Sequence, residues 1–135
     1  MSARRAWRII GRVYLDLETE RARAVLLGPV WQDGVDVWRD IDAIRRLPAA
    51  CRLLDAGADP HDLSVALRAA ALDAAFAALA RVDAGRDPTS SPDDPGWQLV
   101  RAAPDGALTD EPVTGLHTEL LALDPSGNAG VDLRR

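Results

Sequence analysis

The stretch "PHDLSVALRAAALDAAFAALARVDA", residues 60–84, limits what this chain can fold into more than any other part of it. At about 100° per residue, Leu63, Leu67, Ala70, Ala74 and Ala77 fall on one side of a helix. Val65, Leu72, Phe76 and Leu79 fall roughly opposite. Arg68 lies in one seam between the faces, Asp62 and Asp73 in the other. A helix apolar on two sides has to be covered on two sides, so it belongs at the centre of the fold. The bulky face suits a sheet, because large side chains fill the ~10 Å between layers. The alanine face suits a second helix at close range, supplied by residues 36–56 or by another copy of the chain in a homodimer. Leu67, Ala70 and Ala74 are therefore candidate interface residues.

Both ends of this helix carry stop and start chemistry. Gly57 can take the left-handed conformation that closes the preceding helix. Asp59 is placed to cap the next one, and Pro60 occupies a first-turn position where no N–H is needed. Asp62 sits near the positive end of the helix dipole. The run "LLDAGADP" reads like a junction between ankyrin repeats, but the "TPLHxA" element is missing and no period of about 33 residues recurs. A repeat stack is excluded.

Upstream, Val37, Ile41, Ile44, Leu47, Cys51 and Leu54 recur every three or four residues, with Arg39, Asp42, Arg45 and Arg46 on the other side. This predicts an amphipathic helix from Asp36 that kinks or restarts at Pro48. In "WRIIGRVYLDL" (7–17), Trp7, Ile9, Val13, Leu15 and Leu17 share one parity, while Arg8, Arg12 and Asp16 take the other. Period two predicts a strand with one buried face. "ETER" (18–21) then reads as a turn, "ARAVLLG" (22–28) as the returning strand and "PVWQDG" (29–34) as a loop.

Downstream, "GRDPTSSPDDPG" (85–96) has the composition of a flexible surface loop. "WQLVRA", "PDG" and "ALTDEPV" read as a second hairpin, and "LHTELLAL" (116–123) as a short helix capped by Thr114. Residues 1–5 and 125–135 read as loose tails. The order predicts a single α+β domain over residues 1–135. Two β-hairpins form an antiparallel sheet packed on a long central Ala-rich helix, with one amphipathic helix before it and a short C-terminal helix.

The search for chemistry excludes more than it finds. His61 and His117 each open a helix beside acids, but neither lies in a metal-ligand spacing such as H-E-x-x-H, so both read as exposed first-turn residues. No serine has a G-x-S-x-G context, and the glycines form no phosphate-binding or dinucleotide loop. Cys51, the only cysteine, excludes an internal disulfide and falls on an apolar helix face as a buried structural thiol. No catalytic residue, cofactor or metal ligand is expected.

Every basic side chain is arginine, which with the abundant alanine matches the codon usage of a GC-rich bacterial genome. Residues 1–46 carry nine arginines against seven acids, and the remainder carries seven against fourteen. That is not the concentrated basic footprint of a nucleic-acid domain. No uninterrupted apolar run approaches the ~20 residues of a membrane span, so a cytoplasmic protein without nucleic-acid or membrane partners is expected.

Four tryptophans against one phenylalanine and one tyrosine is unusual. Trp7 and Trp97 open predicted strands and would pack across the sheet. Trp31 and Trp38 either close the core or form the rim of a pocket or an interface. The functional expectation is a small bacterial non-catalytic protein acting through protein–protein contacts, as a regulatory, adaptor or immunity-type component. The alternative is a small-ligand binder or enzyme with a pocket near Trp31, Trp38 and His61.

Overall fold

The structure is a computed structural model that describes residues 17–134. The first tail, residues 1–5, and all of the first predicted strand (7–17) except Leu17 lie outside the described residues; Leu17 is helical and exposed, not on the buried face of a strand. The next segment differs from the expected hairpin. Residues 17–29 are helical (α1), so the predicted turn at 18–21 and returning strand at 22–28 are corrected to helix. The composition explains it: Glu, Arg, Ala and Leu favour helix, and a short apolar run such as "AVLLG" does not by itself separate strand from helix.

The predicted loop at 29–34 is also helical. Pro29 has no N–H to donate to the carbonyl of Val25, and beyond it the bonding widens into a π-helical turn over Val30–Val35. Its i→i+5 pattern is visible at its end, where the Asp36 N–H donates to the Trp31 carbonyl. Leu27, Trp31 and Val35 thereby line up on one side and are buried.

The expected helix from Asp36 is broken into three pieces: a 3-10 turn over Asp36–Arg39, then α2 (Ile41–Arg45) and α3 (Pro48–Asp55). Asp40 causes the first break, its backbone extended and its carboxylate accepting the Asp42 N–H at 2.9 Å. Pro48 causes the second, as its position predicts. The long helix α4 spans Pro60–Ala84. The Asp59 carboxylate accepts the N–H groups of His61 (2.7 Å) and Asp62 (3.1 Å), and Gly85 closes the helix in the left-handed conformation.

Residues 85–96 form no regular structure, but Arg86 ties the loop by donating to the carbonyls of Ser91, Pro92 and Asp94. One hairpin comes next, β1 (Val100–Ala102) antiparallel to β2 (Leu108–Pro112). Among the described residues this is the only sheet, so a second hairpin joined to it is not found. Trp97 does not pack across the sheet. Its indole N–H donates to the Arg81 carbonyl at 2.9 Å, near the C-terminal end of α4.

Helix α5 spans Leu116–Ala122. Its cap position is Gly115 at φ 73, not Thr114. The segment after it is not a loose tail. Asp124 is buried and accepts N–H groups from Ser126 (2.8 Å) and Gly130 (2.7 Å), folding the chain back. A 3-10 turn over Val131–Leu133 then buries Leu133.

The core joins Leu27, Trp31 and Val35 to Leu72 of α4, Leu116 and Leu120 of α5, Val113 and Leu133. The bulky face of α4, with Phe76 and Leu79, thus meets helices rather than the face of a sheet. The molecule is mixed helix and sheet, with the long helix packed by helices and the hairpin to one side.

Candidate functional site

Helix α4 turns outward the alanine face expected to form an interface. Ala66, Ala70, Ala74, Ala77 and Ala78 are exposed, and Leu63 and Leu67 are half-buried beside them. Residues 36–55 do not cover this face. The 3-10 turn and α2 reach α4 on another side, where Ser64 donates to the Trp38 carbonyl at 2.7 Å and Arg68 pairs with Asp36 at 2.9 Å. Only Arg68 and Leu72 of the whole helix are fully buried. Apolar side chains are spread almost evenly around its circumference, so the face turned outward is about as apolar as the face turned inward. Asp73, on the flank of that surface, pairs with Arg134 at 2.7 Å.

The three residues of the alternative pocket are not brought together. Trp31 is 2% exposed, and its indole N–H is bound to the Leu120 carbonyl at 2.6 Å. Trp38 is half-buried in the 3-10 turn, its carbonyl accepting from Ser64 of α4, while His61 is exposed at the first turn of α4. A hollow of about 320 Å3 lies beside His61, lined by Arg39, Ile44, Ser64, Val65 and Arg68. Asp36 accepts from both Arg39 and Arg68, and its single charge offsets one of their two. Cys51 is half-buried, its thiol directed at the Arg45 carbonyl. Among the described residues no three His, Cys, Asp or Glu side chains are grouped to hold a metal ion.

The second histidine is placed differently from the expectation. His117 is not an exposed neighbour of Glu119. Its Nδ1–H donates to Asp83 of α4 at 2.5 Å, its backbone N–H donates to the same oxygen at 3.0 Å, and its ring meets the edge of Phe76. The Asp83 side chain is only 8% exposed. Burial pushes its carboxyl up, but the hydrogen bonds from the His117 side chain and from the backbone of His117 and Leu116 outweigh that and hold it below the ordinary 3.8. The pair is a clamp between α4 and α5, and among the described residues no nucleophile accompanies it in the hydrogen-bond network.

A folded value below the unfolded one gives Asp83 a stabilising contribution that is complete above the unfolded value and is lost as the pH falls through the folded one. Replacing Asp83 with Asn is therefore expected to cost about 1–3 kcal/mol near neutral pH. The gap between wild type and variant should close as the pH drops below 3.8. Urea unfolding at several pH values measures it, and a gap that stays constant into strong acid would show the carboxylate to be irrelevant.

No spacing in the sequence announces the Asp83–His117 pair, because the partners are 34 residues apart and meet only through the packing of α5 on α4. The alanine face, by contrast, is legible from helical periodicity, although its exposure is not. Compared with protein-family models, curated proteins and solved structures, the chain matches none.

Proposed function

We propose that this is a small non-catalytic bacterial protein that acts in the cytoplasm through protein–protein contacts, as a regulatory, adaptor or immunity-type component, and that it does so as a homodimer. The observation that carries the reading is the outward face of α4. Seven side chains from Leu63 to Ala78 present no charge, and none is fully buried. Alanine lets another backbone approach closely, and an isologous pairing would cover the same patch on both subunits.

By length and composition α4 could also cross a membrane, since its most apolar stretch has a mean hydropathy of 1.6. That stretch contains Arg68 and Asp73, each costing about 2.5–3.5 kcal/mol at a bilayer centre, and Arg68 is held by Asp36 within the fold. A protein surface is the better match.

Replacing Ala74 with Glu tests the proposal. Ala74 is exposed in the single chain, so the variant should fold. A carboxylate buried in the interface without a partner should raise the dissociation constant by at least about 100-fold. Light scattering is expected to give a dimer for wild type and a monomer for the variant at micromolar concentration. A wild-type monomer throughout that range overturns the homodimer, as does a variant of unchanged mass.

A further inference from the structure

On the side of α4 away from its alanine face, His61, Ser64, Val65 and Arg68 follow the i, i+3, i+4, i+7 spacing of one helix face. With Arg39 and Ile44 they line the hollow of about 320 Å3 beside the 3-10 turn and α2. Ile44 and Val65 make part of its wall apolar, and Arg39, Arg68 and His61 bring nitrogen groups to the rest. Among the described residues no carboxylate lines it.

Arg68 is the unusual member. Its side chain is 8% exposed, and a charge that far out of water ordinarily has its donors satisfied. Here Nη2 donates to Asp36 Oδ1 at 2.9 Å, while the buried Nε has no hydrogen-bond partner among the described residues. Arg39 relies on the same oxygen, its Nε donating to Asp36 Oδ1 at 3.0 Å. Each guanidinium carries five N–H donors, so one carboxylate oxygen leaves most of both forks unused. Nor do nearby acids make up the difference. Asp124, whose carboxylate feels the Arg68 charge, accepts instead from the N–H groups of Ser126 and Gly130. Asp40 and Asp59 are engaged as the caps of α2 and α4.

We infer that this hollow binds a small organic oxyanion, a phosphate or carboxylate group on a short apolar body, through the guanidinium groups of Arg39 and Arg68. Guanidinium forks match the oxygens of either group, and Ile44 and Val65 would cover the apolar body. The volume lies at the small end of ligand sites, which suits a ligand of metabolite size. The end of the helix does not do the binding, because the His61 and Asp62 N–H groups are spent on Asp59. Ser64 shapes the wall without donating to the ligand, since its hydroxyl is given to the Trp38 carbonyl. The hollow lies off the face proposed to pair in a homodimer, and occupancy of one does not require the other.

NMR titration of the full chain at neutral pH and fixed ionic strength, with phenyl phosphate, benzoate and inorganic phosphate as probes, tests it. The Arg68 Nε–H and the amides of His61 and Ser64 should shift together, with a dissociation constant of about 1 mM or below for phenyl phosphate or benzoate. The tighter of these two names the oxyanion. Inorganic phosphate should bind at least about threefold more weakly than phenyl phosphate, because it leaves Ile44 and Val65 uncovered. The variant Arg39→Gln changes a side chain that is 57% exposed, so it should fold as wild type does. It should weaken the better organic probe at least about threefold. No shift of the Arg68 Nε–H by either organic probe up to about 10 mM overturns the site and leaves water as the partner of the guanidinium. Equal binding by wild type and Arg39→Gln, or shifts spread over other arginines instead, overturns it too. Inorganic phosphate binding as tightly as phenyl phosphate overturns the organic ligand.

Discussion

Replacing Trp31 with Ala is expected to remove most of the stability of this protein. The side chain is 2% exposed and touches the centre of the core formed by Leu27, Val35, Leu72, Leu116 and Leu120. Deleting a buried tryptophan leaves a cavity the neighbours cannot fill, at a cost of about 3–5 kcal/mol. A second loss adds to it. The indole N–H satisfies the carbonyl of Leu120 in the last turn of α5, where helix carbonyls run out of intrahelical donors. The nearest candidate donor, the Asp124 N–H, is already given to Leu121. A buried acceptor left without a partner costs about 1–3 kcal/mol. Against a total stability of about 5–15 kcal/mol, the variant should melt at least about 10 °C lower or fail to fold cooperatively.

Trp31→Phe separates the two losses, since it keeps most of the apolar volume and removes only the donor. Trp97→Phe is the surface control, because Trp97 is exposed and its hydrogen bond to Arg81 lies at the surface. Calorimetry of the four proteins should rank wild type and Trp97→Phe close together, Trp31→Phe lower, and Trp31→Ala lowest. If Trp31→Ala melts with wild type, the side chain is not part of the core, and its reading as a pocket or interface residue returns.

How far residues report their own structure depends on whether the cause is local. The ends of α4 are legible because capping is decided within four residues: Asp59 accepts N–H groups from its immediate neighbours, and Gly85 needs only its own left-handed backbone. The restart at Pro48 and the hairpin around "PDG" are local for the same reason. Residues 22–35 mislead although the signal is present. Leu27, Trp31 and Val35 recur at helical spacing, but the Gly28-Pro29 dipeptide looks like a break. In fact Gly28 sits in ordinary helix and Pro29 only widens the turn beyond it.

The candidate site divides along the same line. That α4 carries two apolar faces is a property of one helix and can be counted from the sequence. Which face the rest of the chain covers is tertiary: helices, not the expected sheet, meet the bulky side, and of the two coverings expected for the alanine side residues 36–55 do not supply one. The Asp83–His117 clamp and the anchoring of Leu133 likewise depend on elements that meet only after folding.

That anchoring sets the second large effect, expected for Gly130→Ala. Gly130 sits at φ 73, where an L-residue costs roughly 1–2 kcal/mol more than glycine. A methyl group there would lie 2.5 Å from Leu72 Cδ2, closer than real carbon atoms approach. Leu72 is fully buried and cannot swing aside without disturbing the core around Trp31. Overpacking of this kind adds about 1–3 kcal/mol. Gly127 provides the control, because it has nearly the same backbone at φ 75 but open space where a methyl would stand. Gly127→Ala should show the backbone cost alone, and the difference between the two variants should measure the collision. Replacing Leu72 with Val in the Gly130→Ala background should recover part of that difference, since neighbouring sites couple. The alternative response is release of the segment, which would break the 2.7 Å bond from the Gly130 N–H to Asp124 and expose Leu133. Limited proteolysis then distinguishes the routes: cleavage after residue 124 with an intact core means the segment let go, while loss of the whole domain means Leu72 moved. If Gly130→Ala is no less stable than Gly127→Ala and no more readily cleaved, the closing turn does not press on α4.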